Sequence, residues 1–383
     1  MVRALFATGA AYALTTLCNG GVAMAAPFLY SLSYTGGVKI FDTPTQTFVP
    51  NSIALPPAAV GFALSPSGDR LYLSGSSTIA VIDTSNNSLI TNITMPACLA
   101  DDGQRMSVRP QNDILYFACA VGVNAFSLYP ITISGNTYLP QLPIVVNATG
   151  RAVGIAVNRA GTRLWIARQS VDVLAVDLAT NGTTPIPGIV DPNALTDIAY
   201  DPNLNRVYIP TTTGVIPIDG ANDVTLPAIG TAIGSVLSVA PSPDGSRVYA
   251  LEGFPSFGVA AFTAAGGLIG PVTGLPSNGR TAIAVSPVDR TIYALSTGAC
   301  SGFPQGLIWA IDPVTLAAGP GIAVPGTYCE PRAAGQLIIG PTVHPMPGGQ
   351  PIPTLSIWAL IMLVAVLASF GLVGITRAAR SRT

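Results

Sequence analysis

The sequence predicts an all-β protein: a seven-bladed β-propeller of four-stranded blades, its ring closed by the C-terminal strand of the body, with one C-terminal transmembrane helix beyond it. Three observations lead there. An aliphatic residue followed by an aromatic one recurs seven times, as Leu29-Tyr30, Leu71-Tyr72, Leu115-Tyr116, Leu164-Trp165, Val207-Tyr208, Val248-Tyr249 and Ile292-Tyr293, at spacings of 41 to 49 residues. Around each pair, short apolar runs alternate with Gly, Pro, Asn and Asp, which reads as strands joined by tight turns. A period of about 40–50 residues with four strands is the length of one propeller blade. Finally, the first repeat lacks a strand before Leu29, and "GQLIIG" at 335–340 is a strand without a repeat of its own. The two defects cancel if the ends exchange, which also removes a free sheet edge.

The chain opens with "MVRALFATGAAYALTTLCNGGVAMAAP": Arg3, an apolar stretch, then small residues before Pro27. That is a secretory signal peptide, 1–25, with cleavage after Ala25. The body, 26–340, follows. Its clearest unit is "FALSPSGDRLYLSGSSTIAVIDTSNNSLITNITM" at 62–95. It divides into a strand ending near Ser65, a Pro-Ser-Gly-Asp turn, "RLYLS", "TIAVID" and "LITNITM". The third strand ends in Asp at Asp42, Asp83, Asp177, Asp219 and Asp312, whereas the third and sixth repeats end it at Ser127 and Thr263. An Asp there can accept hydrogen bonds from the next turn's N–H groups, so these residues read as turn locks rather than metal ligands. The aromatic residues read as packing between neighbouring sheets.

Composition narrows the function. Only 9% of residues are charged and the net charge is −1, with Lys39 the sole lysine and no basic block in the body, so nucleic acid is not an expected partner. One histidine, His344, lies in a Pro/Gly linker at 341–351, which leaves a serine nucleophile without a base. The glutamates are Glu252 and Glu330, and Asp101-Asp102 is an adjacent acidic pair that reads as a solvated loop. No GxxxxGK[ST] loop and no CxxC pair occur, so no catalytic residue, cofactor or metal is expected. Export leaves Cys98, Cys119, Cys300 and Cys329 in an oxidising compartment. Proximity favours pairing 98 with 119 and 300 with 329, with four buried thiols as the alternative. Arg151, Arg280 and Arg332 each stand just before the innermost strand of a blade. Together, with Arg105 as a further candidate, they could form an anion-binding channel mouth, since guanidinium forks match carboxylate or sulfate oxygens. The loops at 252–258 and 296–306 are the long ones, where recognition usually resides.

The unit "SPSGDRLYLSGSSTIAVIDTSNNSLI", with "SPDGSRVYAL" at 242–251 and "SPVDRTIYAL" at 286–295, resembles the YVTN-type β-propeller repeat. Some seven-bladed propellers of related repeat type are lactonases. The resemblance therefore implies the fold and keeps a lactonase-like hydrolase, working at the channel mouth, as the alternative to a non-enzymatic binding module.

The last segment, 352–383, has three parts. "IPTLSIW" comes first, then the uncharged run "IWALIMLVAVLASFGLVGI" at 357–375, then Arg377, Arg380 and Arg382. Those 19 residues as a helix span about 28 Å, close to a bilayer's hydrocarbon core. The arginines hold that end in the cytoplasm, which places the body outside. Ile352, Pro353, Thr354, Leu355, Ser356 and Trp358 resemble the IPTL-CTERM sorting signal of Gram-negative bacteria, a relative of the PEP-CTERM signals. Ile357 and Ala359 replace its usual Glu and Gly. The resemblance implies an exosortase-like sorting enzyme as partner. The precursor would be exported across the inner membrane and anchored there by the helix. From there it would pass to the cell surface or the medium. The expected role is an envelope binding module with an unidentified ligand or protein partner.

Overall fold

In the computed structural model, each of the seven aliphatic-aromatic pairs lies in the second strand of its own antiparallel sheet. The structure describes residues 28–340, apart from 34–36, 51–52, 54–60, 76, 96–97, 99–104, 123, 170, 190–197, 254–257, 277–279, 297–305 and 326–336. The chain divides into two units, Met1–Val343 and His344–Thr383, and the described residues all belong to the first. The segments expected to be the signal peptide, the linker, the transmembrane helix and the sorting segment with its basic tail lie outside them. No helix among the described residues is long and apolar enough to cross a membrane.

The first blade holds β1 (Phe28–Ser33), β2 (Gly37–Asp42) and β3 (Thr47–Phe48). Next come β4 (Gly61–Leu64), β5 (Arg70–Ser74), β6 (Thr78–Asp83) and β7 (Ser88–Thr94) as the second blade. A third, five-stranded blade has β8 (Arg105–Val108), β9 (Ile114–Gly122), β10 (Ala125–Ser134), β11 (Thr137–Pro140) and β12 (Val145–Thr149). The fourth is β13 (Ala152–Val157), β14 (Arg163–Arg168), β15 (Val173–Asp177) and β16 (Thr183–Ile186). The fifth is β17 (Ala199–Asp201), β18 (Arg206–Thr211), β19 (Gly214–Asp219) and β20 (Val224–Thr225). β21 (Val236–Pro241), β22 (Arg247–Glu252), β23 (Val259–Thr263) and β24 (Leu268–Pro271) make the sixth. β25 (Arg280–Val285), β26 (Ile292–Ser296), β27 (Leu307–Ile311) and β28 (Ile322–Ala323) make the seventh. The final strand, β29 (Leu337–Gly340), returns to the first blade and pairs with β1, Leu29 opposite Ile339 and Tyr30 opposite Ile338. First strands touch in sequence, β4 with β8, β8 with β13, β13 with β17, β17 with β21, β21 with β25, β25 with β29 and β29 with β4. The ring of seven is therefore closed by the strand from the far end of the body, as the two end defects predict.

Strand pleating sends adjacent side chains to opposite faces, so each pair serves two interfaces. Tyr72 packs in one apolar cluster with Leu115 and Phe117 of the third blade, while Leu71 joins Tyr30 of the first. The same rule holds onward: Tyr116 with Leu164, Trp165 with Val207, Tyr208 with Val248, Tyr249 with Ile292, and Tyr293 with Leu29. All fourteen residues of the seven pairs are buried.

The turns at one end of the ring are locked by side chains. Asp83 Oδ1 accepts from Ser85 N, Asp177 Oδ1 from Ala179 N and Thr180 N, Asp219 Oδ1 from Ala221 N, and Asp312 Oδ1 from Val314 N and Thr315 N, all at 2.8–3.0 Å. Asp42 departs from this: its Oδ1 is buried and makes no hydrogen bond among the described residues. Gly68 and Gly245 take φ of 75° and 70° in the Ser-Pro-x-Gly turns, where any β-carbon would be strained, and their N–H groups return to Ser65 O and Ser242 O. An arginine two residues before the aromatic then reaches the following blade's outer turn. Arg70 donates to Asn136 Oδ1 at 3.3 Å, Arg163 pairs with Asp223 at 2.9 Å, Arg206 donates to Ala264 O at 3.0 Å, and Arg247 donates to Pro313 O.

One boundary differs from expectation. The third strand of the third blade does not end at Ser127 but runs to Ser134, through Pro130. Pro130 O accepts from Gln141 N on the outer side, so its missing N–H would also point outward. That is where the outer partner of β10 changes from β12, along Ala125–Leu128, to β11, along Ile131–Ser134. The proline therefore costs β10 no bond to its inner partner β9.

Replacing Tyr293 with alanine, at the interface where the ring closes, should lower the unfolding free energy by about 3–5 kcal/mol. Val314→Ala, at an exposed turn position, should stay within about 0.5 kcal/mol. Urea denaturation of the two variants beside the parent measures the difference.

Candidate functional site

At the opposite end of the ring the first strands begin and the second strands turn into the third. The local backbone there is irregular in the same place three times. Register shifts fall between Ala152 and Gly154, Val236 and Ser238, and Arg280 and Ala282, so the second residue of β13, β21 and β25 is bulged. A bulge frees a carbonyl from the ladder and re-aims side chains at a rim. Arg105, the first residue of β8 and fully buried, uses one such carbonyl: its Nε donates to Val153 O at 2.8 Å. Arg105 is thus a tie between adjacent first strands rather than a member of an open cationic mouth. With no exposure, its guanidinium is closed to an anion from solvent.

A polar residue three places after the aromatic closes the same end. Thr211 Oγ1 donates to Gly214 O at 2.8 Å, and Ser296 Oγ accepts from Leu307 N at 3.1 Å. In the fourth blade that place is held by Arg168, whose Nε donates to Asp172 Oδ1 at 2.7 Å and Nη1 to Thr149 O at 3.1 Å. The regular offset, Tyr208 to Thr211, Trp165 to Arg168 and Tyr293 to Ser296, is the signal in the sequence that identifies these residues.

Of the three arginines expected at the channel mouth, Arg151 immediately precedes β13 and is half-buried, its carbonyl accepting from Gln169 N at 2.9 Å. Arg280 opens β25 opposite Ser296 of β26. Both stand at the starts of first strands, three blades apart along the chain. Arg332 lies outside the described residues. So do Asp101, Asp102, Glu330, His344, the interiors of the two long loops, Cys300 and Cys329, the sorting residues Ile352–Trp358, and Arg377, Arg380 and Arg382. Cys98 and Cys119 form a disulfide with Cα atoms 5.5 Å apart, within the core between the second and third blades. Among the described residues no three His, Cys, Asp or Glu side chains group as a metal site.

Charge at the turn end is committed to structure. Asp244 Oδ1 accepts from Ser242 Oγ at 2.6 Å and from Ser246 N and Oγ at 3.0 and 2.8 Å, and Arg290 lies 2.8 Å from Oδ2. Led by the Ser242 hydroxyl, these partners pull its carboxyl from 3.8 to about 2 against the opposing cost of burial. Asp201, in the equivalent turn of the fifth blade, is more deeply buried, and loss of hydration pushes its carboxyl up.

Two expectations follow. A carboxyl depressed in the folded state contributes stability that is present above its unfolded value and lost as pH falls through its folded one. Melting temperature should therefore fall between pH 3.8 and about 2, and Asp244→Asn should flatten that limb while lowering the melting temperature at pH 7. Removing the 98–119 crosslink, which spans 21 residues, by the double change to serine should cost about 3 kcal/mol in denaturant unfolding under non-reducing conditions.

Comparison with known proteins bears on both ends of this arrangement. The IPTL-CTERM motif family model matches residues 350–381. Such motifs are recognised by an exosortase-type sorting system, and the match indicates export and surface sorting. A solved structure, the β-propeller domain of Cps50 (Swd1) from Myceliophteria thermophila, is similar with a TM-score of 0.57 and 14% sequence identity, over 74% of this chain and 94% of that one. At that identity the likeness concerns the fold alone. Among curated proteins, none matches this chain.

Proposed function

We propose that the chain is a secreted, surface-sorted binding module of the bacterial envelope, with repeats of the YVTN type and without catalysis of its own. The observation that carries the proposal is the IPTL-CTERM motif at 350–381 on a chain whose body is a closed propeller. Sorting signals are attached to proteins that work at the surface, and a ring without free first-strand edges is a rigid platform for loops. The signal peptide at 1–25 starts export, and the apolar run at 357–375 holds the precursor in the inner membrane. An exosortase-like enzyme then reads Ile352, Pro353, Thr354, Leu355, Ser356 and Trp358. Pro353 keeps that segment extended for the enzyme. The basic Arg377, Arg380 and Arg382 stay cytoplasmic. At the channel mouth Arg151, Arg280 and Arg332 supply an anion-binding rim, and Cys300 pairs with Cys329. A surface partner is engaged at this rim and by the long loops next to it.

Replacing Pro353 and Thr354 with alanine should leave signal cleavage and folding intact and block removal of the tail. Mass spectrometry of the mature C-terminus in the natural host decides: a parent chain that still ends at Thr383 refutes processing. For the body, a glycan array or pull-down with the full chain identifies the partner. Turnover of simple lactones by the same preparation would replace the binding reading with the hydrolase one.

A further inference from the structure

The residue that opens the turn between the first and second strands of a blade is buried in five blades. In four of them it is neutral: Ser65, Asn158, Ser242 and Ser286, whose N–H groups return to Arg70 O, Arg163 O, Arg247 O and Thr291 O at 2.8–2.9 Å. Their side chains hold the turn as uncharged acceptors. Ser65 Oγ accepts from Arg70 N at 3.0 Å, Ser242 Oγ from Arg247 N at 2.9 Å, Ser286 Oγ from Val288 N at 3.4 Å, and Asn158 Oδ1 from Thr162 N and Arg163 N at 2.8 and 3.0 Å. The fifth blade puts an ionisable carboxyl in this place: Asp201, opposite Arg206 in the same register.

Asp201 is 1% exposed, and its two oxygens differ. Oδ1 accepts from Asn203 N at 2.8 Å and from Leu204 N at 3.3 Å, whereas Oδ2 is closed to water and makes no hydrogen bond among the described residues. Oδ2 lies at the joint with the sixth blade, where a β-carbon on Gly245 would come within 3.1 Å of it. Asn203 Nδ2 donates to Pro243 O at 2.7 Å across the same joint, so the inner turns of the two blades are in direct contact. Arg206 acts on the carboxyl from a distance, its Nη1 spent on Ala264 O, and Tyr200 and Tyr208 are neutral neighbours on the same hairpin. Arg159 of the fourth blade acts on Tyr200. From the sixth blade comes Asp244, a second carboxyl, itself paired with Arg290 at 2.8 Å.

A buried charge without a partner costs far more than a buried neutral group, and a like charge nearby adds to the cost. Burial is the largest effect on Asp201 and raises its carboxyl above the ordinary value, against the N–H groups of Asn203 and Leu204 and the more distant Arg206, while Asp244 raises it further. Protonation leaves Oδ1 accepting from both N–H groups and makes the fifth turn uncharged, like its four counterparts. We propose that Asp201 is a proton-operated latch on the joint between the fifth and sixth blades, tightened when the carboxyl takes up a proton in mild acid and loosened when it loses it in a neutral medium. A carboxyl raised by folding contributes stability that is present below its unfolded value of 3.8 and lost as pH rises through its folded one. Asp244, held down to about 2, stays charged where Asp201 is neutral, so acid reaches the latch before it reaches the Asp244 network. The export that the motif at 350–381 indicates brings the ring to the pH of its surroundings, which is the signal such a latch reads.

Thermal unfolding of the full chain in detergent, at about pH 7 and about pH 4, tests it with Asp201→Asn and Asp201→Ser, the residues that the counterpart turns use. The higher-melting of the two is compared with the parent, so a poor fit of one side chain does not obscure the result. At the upper pH that variant should melt about 2 °C or more above the parent, and at the lower pH the gap should shrink to less than half. Hydrogen exchange at the upper pH should be several-fold slower than in the parent across 199–206 and 242–249, and unchanged across 158–163, the counterpart turn of the fourth blade. A gap of the same size at both pH values overturns the latch, as does a parent that melts at or above both variants at the upper pH. Equal slowing at 158–163 shows a general gain in stability with no effect at the joint, and also overturns it. None of these measurements involves sorting, the channel mouth or a surface partner, so failure here and failure of the binding-module reading are distinguishable.

Discussion

Everything in this ring depends on the second strand of each blade serving two cores at once. Pleating sends the aromatic to one neighbour and the aliphatic residue before it to the other, so no interface can be repacked without moving the strand shared with the next. Tyr293 against Leu29 is one link of seven, yet it joins residues at opposite ends of the body. Closure by β29 supplies what sheet packing alone cannot, a covalent path that returns to its starting blade. The aromatic is tyrosine six times and tryptophan once, which suits a wedge with an apolar body and a polar tip that lies near the turns.

Around that frame the two ends of the ring divide the polar groups differently. At the turn end, arginines in β5, β14, β18 and β22 each cross to the next blade, and aspartates lock the hairpins, so charge there is spent on geometry. At the other end, bulges interrupt the ladders of three blades, and Arg105 and Arg168 are bound to backbone and carboxylate. The disulfide between Cys98 and Cys119 lies in the core between the second and third blades, where the repeat pattern is weakest. Crosslinking is an effective support there, since lost regularity in one blade weakens both of its interfaces. It also agrees with the export that the IPTL-CTERM motif indicates.

The third blade illustrates how a repeat protein accommodates an irregular unit without breaking its ring. β9 and the first half of β10 keep the shared packing, Tyr116 toward the fourth blade and Leu115 toward the second. The extra length of β10 is split between its ends, Ala125 and Phe126 against β9 and Ile133 and Ser134 in the hairpin with β11, and the outer edge is completed by two short strands in place of one. A change of outer partner at a residue without an N–H leaves the inner strands undisturbed, so the added segment can diverge freely.

The sequence by itself determined the repeat number, the strand that closes the ring, the burial of every aromatic-aliphatic pair and the aspartate locks at Asp83, Asp177, Asp219 and Asp312. The pairs are a short-range pattern that recurs every 41 to 49 residues, the locks recur at the same strand end in four of the seven units, and the closing strand is the apolar run that this count leaves over. The C-terminal address was legible for a different reason, because the IPTL-CTERM motif is a linear run of residues whose identity does not depend on the fold. Tertiary structure alone decided that Arg105 is buried against Val153 O, that the arginines of β5, β14, β18 and β22 cross to the following blade, and that Tyr72, Asn112 and Tyr138 share one cleft. Those contacts join residues 26 to 66 positions apart. Which atoms meet at such separations is set by the angle between blades and the length of individual hairpins, and neither quantity is written in the local alternation of apolar and polar residues.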